Sequence, residues 1–220
     1  MKDIPLPARS SKFQKYIFDT YPVQSEDEIK VKIIRNLVGN PRNKRILDCG
    51  CGNGNVIRPF VNKNHCYGVD IAENLLKEAA SKGIEVYSVN LEEDRLPFRD
   101  SFFDMVVASH ILEHIVDTDW VLSNINRVLK KQGFLVVSFP NVNSLASLAT
   151  FLVDLPPKYS ARYKSPHVRD FTLKTMKWAL KINGFRVETA HGTYNCPRAR
   201  WDTRCLAKTI SRFADRVILK

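Results

Sequence analysis

Over 220 residues this chain is long enough to bury a full core, and on a scale of about 150 residues per domain it amounts to one generous domain. Its 44% hydrophobic, 26% charged and 10% aromatic residues exclude a disordered chain, and without a run of about 18 uncharged apolar residues no transmembrane segment is expected. The formal charge of +11 is lopsided: residues 1–157 hold 19 basic and 19 acidic side chains, whereas residues 158–220 hold 15 and 4.

Such a field points either to an anionic contact for the C-terminal part (a phosphorylated or carboxylated substrate, a membrane surface, nucleic acid) or to a solvated basic face. The start, MKDIPLPARSSKFQ, has no apolar signal-peptide core, so a reducing, cytoplasmic setting with free thiols is expected. The five cysteines, Cys49, Cys51, Cys66, Cys196 and Cys205, fit none of the usual paired zinc-ligand spacings, and no metal is expected.

Along the chain, a polar N-terminal segment (1–40) carries a predicted helix over 26–37. An α/β core (41–141) follows, with strands over 45–48, 66–70, 86–90, 104–109 and 134–139. Helices are predicted over 72–82, stopping at Gly83, and over 120–131, stopping at Gly133. This alternation reads as a doubly wound, mostly parallel sheet. After FPNVNS the pattern changes. Residues 142–153 carry no charge, Pro156-Pro157 breaks the chain, and a basic aromatic loop follows, so 142–170 reads as a lid inserted after strand five. The last part, 171–220, adds a helix over 172–182, strands over 185–189 and 216–219, and an amphipathic stretch over 203–213 with Leu206, Ile210 and Phe213 opposite Arg204, Lys208 and Arg212.

The strongest local signal is RILDCGCGNGNVI. Gly50, Gly52 and Gly54 stand between a hydrophobic strand and a helix, where backbone turns sharply and approaches a nucleotide closely. Asp70 follows about 20 residues on, where a carboxylate can accept from ribose hydroxyls. Asp48 would repel a pyrophosphate, Asn55 occupies the position where G-x-G-x-x-G wants Gly or Ala, and no G-K-[ST] follows. A cofactor positive near the loop, as S-adenosylmethionine is at its sulfonium and ammonium, suits Asp48 instead. Plainer roles stay open: Asp48 capping the turn, and Asp70 acting as helix N-cap.

ILDCGCGNG, YGVD, VNLEEDRLPFRDSFFDMVVASHILEHI, GFLVVSFPN and HVRDFTLKTMKWALKINGF together resemble the successive motifs of class I S-adenosylmethionine-dependent methyltransferases of the UbiE/UbiG-like group. The resemblance covers about residues 30–190 and implies a Rossmann-like α/β fold, a seven-stranded sheet with the last strand antiparallel. It implies that Asp48, Gly50, Cys51, Gly52 and Gly54 surround the methionyl part, that Asp70 holds the ribose, that Ile71 lies against the adenine, and that Leu91 offers its backbone to the adenine edge. Asn90 stands where family members commonly carry Asp, and its carbonyl oxygen can accept from the adenine amino group. Ser109 and His110 correspond to positions beside the methionyl group and the transferred methyl.

Methyl transfer is an in-line displacement in which orientation supplies about 7–11 kcal/mol and a general base about 10²–10⁴-fold. His110 and His114, spaced i, i+4 around Glu113, are candidate bases, and His167, from the variable C-terminal half, is a candidate acceptor contact. His114 and Glu113 can equally serve to tie the turn after the fourth strand to the sheet. An apolar lid with a cationic rim suits a small-molecule or lipid-like acceptor, including an anionic one, with S-adenosylhomocysteine as the by-product. Residues 158–220 can meet an anionic surface peripherally. Against nucleic acid stand the lack of a recognised RNA-binding module and the sequence ASHI where base-amino methyltransferases carry N-P-P-[YF]. Protein or RNA methylation through the basic face, and a noncatalytic nucleoside-binding module, are the competing readings.

Overall fold

The computed structural model describes residues 27–144, 147–149, 152, 167–193 and 216–219. Its strands are β1 (Arg45–Cys49), β2 (His65–Asp70), β3 (Glu85–Ser88), β4 (Phe103–Ser109), β5 (Leu129–Pro140), β6 (Ala190–Thr193) and β7 (Arg216–Leu219). Its α-helices are α1 (Asp27–Val38), α2 (Glu73–Ser81), α3 (Thr118–Val128) and α4 (Leu173–Ile182), with 3₁₀ turns at Arg58–Lys63 and Leu112–His114. They form one sheet in the order β3-β2-β1-β4-β5-β7-β6. The first five strands pair in parallel, and β7 runs antiparallel to β5 and β6, as the resemblance implies.

The period-2 pattern of the strands builds two cores, one on each face. Leu47, Cys49, Val106, Ala108, Leu135, Val137 and Phe139 share a cluster with Leu122 and Ile125 of α3 and Met176 and Leu180 of α4. Ile46, Met105, Val107 and Val136 face the other way, onto Ile34 of α1, Phe60 of the 3₁₀ turn and Ala79 of α2. Phe103 breaks the alternation by joining the first cluster, because the ladder between β4 and β5 shifts register between Phe103 and Met105.

That shift moves one expected boundary. The helix expected to run to Lys131 ends at Val128, and β5 starts at Leu129, paired with Phe103. The Ser101 and Phe102 amides donate to the Arg127 and Val128 carbonyls at 2.9 and 2.7 Å, satisfying the helix end early. Gly133 therefore stops no helix. It lies inside β5, where a Cβ would come within 3.0 Å of the Phe103 and Lys130 carbonyl oxygens.

The strand expected over 185–189 is found at Ala190–Thr193 instead. The Phe185 amide closes the end of α4 on the Leu180 carbonyl at 2.9 Å, and Phe185 and Val187 pack against the first core rather than joining the ladder. Most of the expected lid (142–170) and all of the amphipathic stretch over 203–213 lie outside the described residues. Among the described residues no helix is long and apolar enough to cross a membrane.

Phe103, fully buried, meets Tyr67, Phe98 and Phe102 edge-on with ring centroids 5.4, 4.8 and 4.9 Å apart. Phe103→Ala should cost about 3–5 kcal/mol and lower the midpoint of thermal unfolding by on the order of 10 °C in a circular-dichroism melt. A loss below about 2 °C would mean that this aromatic cluster does not anchor the sheet.

Candidate functional site

The site lies at the carboxyl edge of the sheet. The chain leaves β1 towards β2 and β3, then crosses back to β4 on the other side of β1. The loops after β1 and β4 diverge, and a cleft opens between them. The glycine loop is fixed by backbone bonds to the end of β2: the Gly50 and Cys51 amides both donate to the Val69 carbonyl, at 2.8 and 3.0 Å. Gly50 and Gly52 hold left-handed conformations, with φ of 71° and 49°. A Cβ on Gly50 would come within 2.7 Å of Ile111, whereas one on Gly52 would meet only Leu75, at 3.9 Å. The loop backbone is thus packed at Gly50 and open at Gly52.

Asp70 ties the cleft together. Its Oδ2 accepts from the Gly52 amide at 2.8 Å and its Oδ1 from the Ala72 amide at 2.9 Å. It is not the N-cap of α2, a position held by Ala72 with no side-chain cap. Burial raises the Asp70 carboxyl above the usual carboxylate range, and the donated amides of Ala72, Gly52 and Ile71 oppose that rise. Asp70 and Gly50 line the cleft together with Ile71, Val89, Leu91, Ile111 and Ile115. The lining thus sets one carboxylate among aliphatic side chains.

Asp48, Cys51, Gly52, Gly54, Asn90 and Ser109 are not among the residues that line this slot. Asp48 is buried, 1% exposed. Burial first, and then the Asp48 charge, raises the thiols of Cys49 and Cys51 and pushes Cys66 up to about 12, so these buried free cysteines stay protonated. Gly54 is packed against Ile84 and Ala79. Asn90 uses its Oδ1 to accept from the Glu92 amide at 3.2 Å, holding its own turn. Ser109 Oγ lies 2.8 Å from Ser138 Oγ and links β4 to β5. Val89, Ile111 and Ile115 were not expected here, because in sequence their apolar side chains look like any other core position.

After β4 the chain places three histidines around one acid. Glu113 is 1% exposed, and His110 Nδ1 lies 3.0 Å from its Oε1. His110 holds φ of 55°, a conformation that non-glycine residues adopt at a cost of about 1–3 kcal/mol and that concentrates at functional sites. His114 and His167 meet edge-on, with ring centroids 4.9 Å apart. The Glu113 carbonyl also accepts from the Val168 and Arg169 amides, at 2.8 and 3.1 Å, which fixes the segment bearing His167 against this turn. Burial by itself would raise the Glu113 carboxyl; the contact with His110 and the charges of His110, His114 and His167 outweigh it and hold the group at about 2. The three histidines named from sequence thus come together, and Glu113, which sequence leaves between two roles, is the group they share.

Residues 47–137 match a family model described as a methyltransferase domain. An uncharacterized protein of Methanocaldococcus jannaschii is 31% identical over 174 residues, 78% of this chain and 69% of that one. The ubiquinone/menaquinone biosynthesis C-methyltransferase UbiE of Vibrio cholerae is 30% identical over 170 residues, 66% of this chain and 65% of that one. The human mitochondrial arginine-hydroxylase NDUFAF5 is 32% identical over 151 residues, 67% of this chain, but the match spans only 43% of the human protein. In fold, the chain superposes on a SAM-dependent methyltransferase of Archaeoglobus fulgidus with a TM-score of 0.64, covering 96% of this chain and 99% of that one at 24% identity.

Glu113 titrates at about 2 in the folded chain against 4.5 for an ordinary glutamate, so its stabilisation is complete above about pH 4.5 and drains away as pH falls towards 2. Glu113→Gln should therefore be less stable than the parent at neutral pH by on the order of 3 kcal/mol, with the gap closing below about pH 4.5 in denaturant titrations. A gap that stays constant down to pH 2 would show that the carboxylate charge is not what the histidines hold.

Proposed function

This chain belongs to the methyltransferase-domain family of S-adenosylmethionine-dependent enzymes, and from that premise we propose that it methylates a small or amphiphilic acceptor at the mouth of the cleft between β1 and β4. The observation that carries the reading is the slot itself, an acid facing aliphatic walls beside a strained histidine. When bound, S-adenosylmethionine supplies an electrophilic methyl on a positively charged sulfur. The residues present fit it. Asp70 is set to accept from ribose hydroxyls, and Ile71, Leu91 and Ile115 offer an apolar enclosure for the adenine. Gly52 leaves backbone accessible where the methionyl part would pass. Asp48, buried within two residues of Gly50, contributes a negative field that favours a cation.

His110 is the proposed general base. Glu113 holds its ring from the Nδ1 side and stabilises the imidazolium formed when the acceptor's proton arrives. Ile111 and Ile115 keep the cleft apolar and dry, so orientation supplies the larger share of the rate. For the acceptor, the uncharged run over 142–153 and the cationic loop after Pro156-Pro157 favour an apolar body with an anionic or polar head. The name of the Vibrio relative, a quinone-pathway C-methyltransferase, supports the same class.

The acceptor class is tested by incubating the protein with methyl-labelled S-adenosylmethionine and a fractionated cell extract. Label is expected in the small-molecule or lipid fraction; label confined to the protein or nucleic-acid fraction would overturn the assignment. Asp70→Ala should weaken S-adenosylhomocysteine binding at least tenfold in calorimetry, and unchanged affinity would remove Asp70 from the cofactor site. On the labelled acceptor, His110→Gln should lower kcat by about 10²–10⁴ with cofactor affinity kept. An unchanged kcat would leave His110 with a structural role.

A further inference from the structure

Glu113, His114 and His167 offer one carboxylate oxygen and two imidazole nitrogens, all within 4.8 Å of one another. We propose that these three side chains form a binding site for a divalent transition-metal ion of the zinc class. Two imidazoles and a carboxylate suit zinc, cobalt and iron(II), whereas calcium and magnesium prefer oxygen ligands throughout. The cysteines are excluded as competitors among the described residues, since Cys49, Cys51 and Cys66 are buried with raised thiols.

The site is built around a buried acid. Glu113 is 1% exposed, and its Oε2 has no hydrogen-bond donor among the described residues. That oxygen keeps its lone pairs available to a cation from within the protein. His114 is adjacent in the same 3₁₀ turn. His167 comes from a distant segment, held by the Val168 and Arg169 amides on the Glu113 carbonyl and by the Arg169 guanidinium Nε on the Val116 carbonyl at 2.8 Å. A tetrahedral ion with ligands at about 2.0–2.2 Å wants them roughly 3.4 Å apart, so small side-chain rotations close the triad. His110, 3.0 Å from Oε1, then plays the part of the outer group that orients a metal-bound carboxylate.

Three protein ligands leave a fourth position on the ion. Resting on the methyltransferase reading, the structure assigns that position to an acceptor oxygen, a phenol or hydroxyl, whose proton the ion makes easier to remove beside His110. The reading thereby narrows the acceptor to one with an ionisable oxygen next to the methylated atom or at it.

The test uses the full chain stripped with chelator. Zn²⁺ is titrated by calorimetry, and Co²⁺ is followed by its visible d–d absorption. One equivalent should bind, with the spectrum of nitrogen and oxygen ligation. His114→Gln and His167→Gln should each weaken binding at least tenfold, with the native circular-dichroism spectrum and S-adenosylhomocysteine affinity kept. Absence of stoichiometric uptake, uptake indifferent to both variants, or a thiolate charge-transfer band would each overturn the site. Cofactor affinity is read on the same samples, so loss of metal binding with cofactor binding intact sinks this inference alone, and loss of cofactor binding sinks the methyltransferase reading instead.

Discussion

Everything at this site depends on the chain reversing its winding direction at β1. In a parallel sheet all loops that follow strands emerge at one edge, and neighbouring loops normally cover one another. Here β1 sends its loop to the face that carries α1 and α2, and its neighbour β4 sends its own to the face that carries α3 and α4. No backbone has to cross the gap between them. Gly50 on one side and Ile111 on the other approach so closely that a single methyl on Gly50 would collide, and both line the slot with Asp70 and Leu91.

The same edge gathers buried acid. Asp48, Asp70 and Glu113 are 1, 8 and 1% exposed, and each is more costly there than an apolar side chain of similar size. Their compensations differ. Asp70 spends both oxygens on loop amides, so it shapes the loop while keeping lone pairs for a ligand. Glu113 is compensated by imidazoles. Buried carboxylates cost stability, and their concentration at one edge of the sheet marks that edge as a candidate site.

Much of this is written in local pattern. The glycine loop, its two acids and the five parallel strands follow from period-2 hydrophobicity broken by Gly and Asp, although β3 spans Glu85–Ser88 rather than 86–90, β5 begins at Leu129 rather than 134, and the loop leads into a 3₁₀ turn rather than an α-helix. The failures share a physical cause. Gly133 looks like a helix stop because glycine commonly is one, yet it serves a register shift that only the pairing of Leu129 with Phe103 reveals. Phe185 and Val187 alternate as a strand would, but the end of α4 captures the Phe185 amide first. Asn90 is legible as a polar residue after β3, though not as one that bonds its own turn. The histidine cluster was legible residue by residue but not as a unit, since the meeting of His167 with Glu113 is a tertiary contact with no periodic signature.

Glu113 is where those non-local terms converge. Its carbonyl fixes the backbone at Val168 and Arg169, so the segment returning from the 142–166 region is registered against the turn after β4. Its carboxylate faces His110 and His114 from that turn and His167 from the returning segment. One residue therefore couples the main chain at Val168 and Arg169 to the histidine side chains that follow β4. Any rearrangement of the returning segment must either carry His167 with it or break two backbone hydrogen bonds on a carbonyl whose side chain cannot leave, because Glu113 is buried between Leu112 and the apolar wall at Ile115.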